Sequence, residues 1–81
     1  MYHCYILKSV KNSQYYIGST ADKYARLKQH NQGKVKSTMR YIPWKIVYNE
    51  TFTTLKEARA REKQIKGWKS RSAIERLLNK I

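Results

Sequence analysis

The start of the chain constrains the fold most, because two aromatic-rich segments stand on either side of a polar turn. Alternation over residues 2–8 puts two sets of side chains on opposite faces of an extended strand: His3, Tyr5 and Leu7 on one, and Cys4 and Ile6 on the other. Residues 11–13 have turn chemistry, so residues 14–18 should return as a second arm. The sequence therefore predicts an antiparallel β-hairpin.

A helix should follow the hairpin directly. It is predicted over residues 21–31, with Ser19 or Thr20 as its N-cap, because serine and threonine side chains accept hydrogen bonds from the first free backbone N–H groups. Gly33 then supplies a stop. Residues 34–43 read as a basic loop.

The second half of the chain predicts one strand and two helices. In a strand over residues 44–48, every second side chain shares a face: Trp44, Ile46 and Tyr48. A capping box from Thr54 to Glu57 predicts a helix over residues 55–66, ended by Gly67. Ser72 repeats the capping pattern and begins a last helix with an apolar stripe: Ile74, Leu77, Leu78 and Ile81. We therefore expect an α+β fold, a small three-stranded antiparallel sheet flanked by helices, in a single domain over residues 1–81.

Charge is the strongest signal in the composition. Eighteen lysines and arginines stand against five acids, which gives a net charge of +13. Such a field attracts polyanions, and nucleic acid is the commonest of them. Charge of this kind is also found in ribosome-associated proteins, or serves solubility alone.

The single cysteine and the lack of a long apolar run bear on location. Cys4 cannot form an internal disulfide and has no partner for a cysteine-based zinc site. No segment is long and apolar enough for a signal peptide or a membrane span. We expect a reducing, cytoplasmic setting in a bacterium and no membrane partner.

One carboxylate interrupts an apolar stripe on the predicted second helix. Spacings of three, four and three residues put these side chains on one face: Leu55, Ala58, Glu62 and Ile65. A charge in that position is costly unless it is paired or binds something. Two readings stay open. Glu62 is a ligand for one Mg²⁺ or Mn²⁺ ion, which takes further oxygens from water and substrate phosphate, or it forms a surface pair with Lys66.

Arg26 and His30 are four residues apart, so they should share a face of the first helix. Arg26 can fork onto phosphate oxygens and offset charge in a transition state, or it can pair with Asp22. His30 can orient a water or protonate a leaving oxygen, but a lone histidine near a helix end is often structural.

Tyr5 and Tyr16 lie on the two predicted hairpin strands. A phenol with its usual pKa of about 10 is a weak base. A nearby cation favours the phenolate and makes one of these tyrosines a base or a water-orienting group. The alternative is that both rings fill the core, as most strand tyrosines do.

Three short segments occur in a specific order: Tyr16–Thr20, Arg26–Asn31 and Arg61–Trp68. With them, the sequence resembles a GIY-YIG nuclease domain over nearly its whole length. In particular it is similar to the short stand-alone branch related to the N-terminal domain of the bacterial excinuclease C subunit. The first signature tripeptide reads His3-Cys4-Tyr5 and lacks its glycine.

The resemblance implies roles for individual residues. Tyr5 and Tyr16 are the signature tyrosines and Gly18 is the second glycine, which lets the strand end approach substrate or turn into the helix. The resemblance also makes Arg26 and His30 catalytic and Glu62 the metal ligand. Asn79 is the one candidate for the family's terminal asparagine.

The implied activity is that of a metal-dependent endonuclease that hydrolyses the backbone of DNA, or of RNA. The alternative is a non-catalytic module that grips the backbone and stacks bases on exposed rings. Retention of Tyr5, Tyr16, Arg26 and Glu62 favours the enzyme, since simple binding needs no carboxylate. With no room for a second DNA-reading domain, we expect recognition of flaps, nicks or branches, or a protein partner that supplies targeting.

Overall fold

The computed structural model describes residues 1–79 as a three-stranded antiparallel sheet with helices on both faces. Its elements follow in this order: β1 (Tyr2–Ser9), β2 (Tyr15–Thr20), α1 (Lys23–Asn31), a 3₁₀ turn (Met39–Tyr41), β3 (Trp44–Phe52), α2 (Leu55–Gly67) and α3 (Arg71–Leu78). The strand order is β2-β1-β3, so β2 and β3 are the edges. The predicted α+β fold is confirmed. None of the helices described is both long and apolar enough to cross a bilayer.

The central strand β1 separates two packed sides of the sheet. The α2 face, covered by α2 and α3, is apolar and closes over these buried side chains: Cys4, Ile6, Ile17, Ile65 and Ile74. The α1 face, covered by α1, is built on a second set: Tyr5, Leu7 and Trp44. The alternation predicted for β1 is therefore confirmed.

An irregular register in β3 changes which of its side chains share a face. Ile6 pairs with Tyr48, whereas Leu7 pairs with Ile46, which leaves Val47 as an extra residue. Such a bulge offsets the period of two. As a result Ile46 packs on the α1 face and Tyr48 on the α2 face, so the prediction that Trp44, Ile46 and Tyr48 share one face was wrong.

The first helix begins later than predicted. Because β2 continues to Thr20, the N-cap is Asp22, whose carboxylate accepts a hydrogen bond from the Ala25 N–H at 3.0 Å. The predicted stop is confirmed. Gly33 has φ +76° and its N–H donates to the His30 carbonyl, a geometry in which a side chain is unfavourable.

The ends of α2 and α3 correct two further predictions. Thr54 caps α2 as expected, but Gly67 lies inside its last turn. The left-handed residue that ends the helix is Lys69, with φ +47°. The cap of α3 is Ser70 and not Ser72, because the helix begins at Arg71. The apolar stripe is confirmed for Ile74, Leu77 and Leu78, whereas Ile81 lies outside the described residues.

Polar groups on the α2 face are paired near its rim. The Glu50 carboxylate accepts hydrogen bonds from the Tyr48 hydroxyl at 2.5 Å and from Arg61 Nε at 3.0 Å. Arg61 also lies over the Trp68 ring, 5.6 Å from its centroid. Beneath them, burial, together with the negative charges of Glu50 and Glu62, raises the pKa of the Cys4 thiol to about 11.

Candidate active site

A chain of buried hydrogen bonds crosses the α1 face. The Tyr5 hydroxyl lies 3.1 Å from His30 Nε2, and His30 Nδ1 lies 2.7 Å from Thr38 Oγ1. Thr38 donates its one hydroxyl proton to the Val35 carbonyl, so it accepts from His30 Nδ1–H. The remaining His30 nitrogen then accepts from Tyr5. This arrangement fixes both the histidine tautomer and the direction of the tyrosine hydroxyl.

Burial keeps both rings of this chain neutral. It raises the pKa of Tyr5 to about 12, and the nearby Arg26 guanidinium only partly opposes that shift. Burial and, to a smaller extent, the positive charge of Arg26 lower the pKa of His30 to about 4. At neutral pH, Tyr5 is therefore a phenol and His30 an uncharged imidazole.

Gly18 makes room for the Tyr5 hydroxyl. The two residues are paired across β1 and β2, and a Cβ on Gly18 would lie 2.5 Å from the Tyr5 oxygen. No real side chain tolerates that approach. The sequence suggested that this glycine serves the substrate or the turn into the helix; in the structure it is buried and serves the tyrosine.

The two tyrosines differ in access. Tyr5, on the central strand, is only 2% exposed, whereas Tyr16, on the edge strand β2, is half-buried. The Tyr16 ring packs edge-on against His30, with centroids 4.9 Å apart, and lies 6.4 Å from the Tyr5 ring. Both tyrosines pack in the core, yet only Tyr16 reaches the surface.

Arg26 extends from α1 beside these rings. Its Nη1 donates to the Gln29 side chain at 2.8 Å. The pairing with Asp22 that the spacing allowed does not form, since no ion pair within residues 1–79 joins them and Asp22 caps the helix instead. The Arg26 charge is therefore not neutralised by a carboxylate in the described part of the chain.

Glu62 approaches the same edge strand from the α2 face. Its Oε1 accepts a hydrogen bond from Ser19 Oγ at 2.6 Å, and Ser19 directly follows Gly18. Its Oε2 pairs with Lys66 Nζ at 2.6 Å, which is the surface pair that the sequence left open. Lys66 also reaches Tyr16, with its ammonium 6.0 Å from the ring centroid.

The donors around Glu62 decide which ion fits. Within residues 1–79 no three histidine, cysteine, aspartate or glutamate side chains come together as a metal cluster. The Glu62 side chain is 20% exposed and both of its oxygens are already paired, with Ser19 and Lys66, so an ion reaches this carboxylate only by displacing one of those partners. A single carboxylate suits Mg²⁺ or Mn²⁺, which keep several waters and take other ligands from phosphate, and does not suit zinc.

The structure gathers most of the predicted residues around β2. Tyr5, Tyr16, Gly18, Arg26 and His30 meet on its α1 side, and Glu62 contacts it from the other side. Asn79 caps the end of α3 and is exposed; no hydrogen bond or ion pair described for residues 1–79 links its side chain to the others.

Sequence reasoning missed Thr38 and Ser19. Thr38 is fully buried and its carbonyl also accepts a hydrogen bond from the Trp44 indole at 2.8 Å. Nothing in the basic loop marked it as a histidine partner. Ser19 had a signal: as the neighbour of Gly18 on a strand, it must face the opposite side of the sheet, where α2 lies.

Comparison with known proteins places this site in a family. Residues 1–76 match the family described as the GIY-YIG catalytic domain. The chain therefore belongs to the GIY-YIG family of nuclease domains. A solution NMR structure of the UPF0213 protein of Bacillus halodurans has the same fold, with a TM-score of 0.60 and 33% identity, covering 98% of this chain and 84% of that one.

Curated relatives fall into two groups. A UPF0213 protein of Streptococcus pneumoniae is 37% identical over 65 residues, which are 79% of this chain and 65% of that protein. A UPF0213 protein of Staphylococcus epidermidis is 43% identical over 63 residues, 76% of each chain. The structure-specific endonuclease subunit slx1 of Talaromyces marneffei is 48% identical over 52 residues, but those are 57% of this chain and only 13% of that protein.

Proposed function

We propose that this protein is a metal-dependent endonuclease that hydrolyses phosphodiester bonds in DNA. One observation carries the proposal: Arg26 lies beside the Tyr5 and His30 rings on the α1 side of β2, and Glu62 contacts β2 from the α2 side, next to the one signature tyrosine that reaches the surface. A cation that holds phosphate, a group that handles a proton and a carboxylate that holds a metal are what this hydrolysis requires.

Tyr16 and Arg26 are assigned the direct chemistry. A water molecule attacks phosphorus while the Tyr16 oxygen, acting as the phenolate that the nearby Lys66 ammonium favours, orients it and takes its proton to become the phenol; a new P–O bond forms and the bond to the 3′ oxygen breaks. Arg26 donates to the non-bridging oxygens, whose charge grows in the transition state. The 3′ oxygen takes its proton from solvent.

Tyr5 and His30 are assigned a positioning role. Both are buried, so neither meets a water molecule directly. Thr38 holds His30, His30 holds the Tyr5 hydroxyl, and these rings support Tyr16 on the edge strand. A side chain that is already held in its reactive orientation loses less entropy when the substrate binds, and this lowers the barrier to cleavage.

Glu62 is the residue that would hold the divalent ion. When bound, such an ion supplies positive charge that offsets the charge on the reacting phosphate. Lys66 neutralises Glu62 at present, so this lysine must release the carboxylate and is then free to contact the substrate backbone.

The test is a panel of labelled single-stranded, duplex, nicked and branched DNA, incubated with Mg²⁺, Mn²⁺ or chelator. We expect cleavage by the wild type only with a divalent ion, and none by Glu62→Gln. Glu75→Gln is the matched control, since Glu75 also pairs with a cation four residues away, Arg71 at 3.3 Å. Equal activity of the two variants would remove Glu62 from the proposal.

A nucleic-acid-binding module is the second candidate, and the Glu62–Lys66 ion pair favours it, because a paired carboxylate needs no metal. The module is supported if the wild type binds the panel but cleaves none of it with either ion. For the enzyme we propose branched or partly unpaired DNA as substrate, in line with the structure-specific endonuclease relatives, with any further choice made by a protein partner.

A further inference from the structure

A groove lies on the α2 side of the edge strand, beside the residues assigned to catalysis. It runs between β2 and the turn that joins α2 to α3 and has a volume of about 320 Å³. Its lining combines apolar and positive groups: Tyr15, Ile17, Ile65, Lys66, Lys69 and Arg71. The proposed chemistry uses none of these except Lys66.

The positive groups of the groove are held in place by the fold. Arg71 Nη1 donates to the Ser13 carbonyl at 2.8 Å, and its guanidinium lies 4.7 Å from the Tyr15 ring centroid. Lys69 occupies the left-handed position at the end of α2, where glycine costs least. The chain thus keeps a lysine at the groove against a backbone preference for glycine.

The groove continues directly from the catalytic residues. Lys66 lines the groove and also pairs with Glu62 and approaches Tyr16. Along α2, the five residue steps from Glu62 to Gly67 rise about 7.5 Å, and Lys69 follows two residues beyond the end of the helix. On β2, Tyr16 faces the catalytic residues and its neighbour Tyr15 faces the groove. A nucleic-acid strand that leaves Glu62 along this edge meets the groove next.

We propose that this groove binds one unpaired nucleotide of the substrate strand, next to the phosphate that is cut. The base lies over the isoleucine floor and stacks on the Arg71 guanidinium, which Tyr15 backs with its ring, and its phosphate contacts Lys66 and Lys69. The volume is at the small end of ligand pockets, about 300–1,000 Å³, and takes a base but not a base pair. The inference rests on the proposed function and extends it, because it names the part of the protein that would select the partly unpaired DNA proposed as substrate.

Binding without cleavage tests the inference. Two duplexes of the same sequence, one blunt and one with a short single-stranded tail carrying 2-aminopurine, are titrated with the protein in chelator. We expect the tailed duplex to bind about 5- to 100-fold more tightly, the range for one stacked base, with quenched 2-aminopurine fluorescence. Tyr15→Leu and Lys69→Asn should each remove most of that difference.

The controls separate the groove from general charge and from folding. Lys56→Ala also removes one charge, from an exposed site in the first turn of α2, and should weaken binding of both duplexes equally. Asparagine tolerates the left-handed backbone of Lys69, so Lys69→Asn should keep the wild-type Tm. Equal affinity for the two duplexes, or equal selectivity in Lys69→Asn and wild type, overturns the inference alone. Failure to bind either duplex overturns the proposed function as well.

Discussion

The two faces of the sheet bury different kinds of side chain. The α2 face closes with apolar side chains, and its carboxylate Glu50 is paired near the rim. The α1 face instead buries a phenol, an imidazole and a hydroxyl in one hydrogen-bonded chain. Buried polar groups add little net stability but are costly when a partner is lost. The apolar contacts of the α2 face therefore supply most of the stability, whereas the hydrogen bonds of the α1 face fix the orientation of the Tyr5 and His30 side chains.

Removing one hydroxyl from each face gives the largest expected contrast. Tyr16→Phe should lower the cleavage rate about 100- to 10,000-fold, the range for a group that transfers a proton. Its ring packing and its Tm should stay unchanged. Tyr48→Phe should leave the rate unchanged and cost about 1 kcal/mol of stability, because it removes the hydrogen bond to Glu50.

Cleavage assays and thermal melts of both variants check this pair. If Tyr48→Phe slows cleavage as much as Tyr16→Phe, the assignment of the proton transfer to Tyr16 fails.

Acid should destabilise the α1 face specifically. The pKa of His30 is lowered to about 4 by burial, whereas in the unfolded chain it is near 6.5. The unfolded state binds more protons between these values, so stability is full above about pH 6.5 and is lost as pH falls toward 4, by about 2–3 kcal/mol. Urea unfolding at several pH values measures the slope.

His30→Gln removes the titrating group and should flatten that slope between about pH 6.5 and 5. The same slope in both proteins would show that another group causes the loss.

Gly18→Ala should disrupt the packing of the α1 face through a steric clash. The new methyl group meets the Tyr5 hydroxyl and ring, so Tyr5 must leave His30 or the strands must separate. Overpacking of this kind costs about 1–3 kcal/mol. We expect a lower Tm and slower cleavage, measured by melting curves and by the substrate panel. A wild-type rate with a lowered Tm would show that the Tyr5–His30 contact does not support catalysis.

Gly67→Ala should have the smallest effect on stability, and it should stabilise the protein rather than destabilise it. Nothing lies within 4 Å of the added Cβ, and the residue is in the last turn of α2. Alanine should therefore stabilise the protein by about 0.5–1 kcal/mol. A melting curve tests it, and a lowered Tm would mean that α2 needs freedom at its end.

Local patterns predicted what depends on neighbours in the chain. The hairpin follows from alternation and a polar turn, and the Thr54 cap follows from its own motif. The strand order does not follow from local patterns, and it is what makes Tyr5 central and Tyr16 accessible. The bulge at Val47 and the burial of Thr38 arise from contacts between segments that are distant in the chain. The pattern of apolar residues along the sequence therefore does not predict them.

The candidate site divides in the same way. Glu62 was found because a charge interrupts an apolar stripe, which is a local signal. The two tyrosines came from family resemblance, since most strand tyrosines are core residues. The sequence predicts Gly67 as the stop of α2 because glycine usually fills the left-handed position, but in the structure Lys69 fills it.

The single cysteine of this chain can report how often the strands of the sheet separate. Cys4 is 0% exposed on the central strand, and burial raises its pKa to about 11, so almost no thiolate is present to react. A maleimide therefore finds no target while the strands stay paired. If a second cysteine were introduced at the surface, a maleimide dye would label that residue and leave Cys4 unmodified. In the unaltered protein, the slow rate at which Cys4 is labelled would measure how often β1 separates from its neighbouring strands.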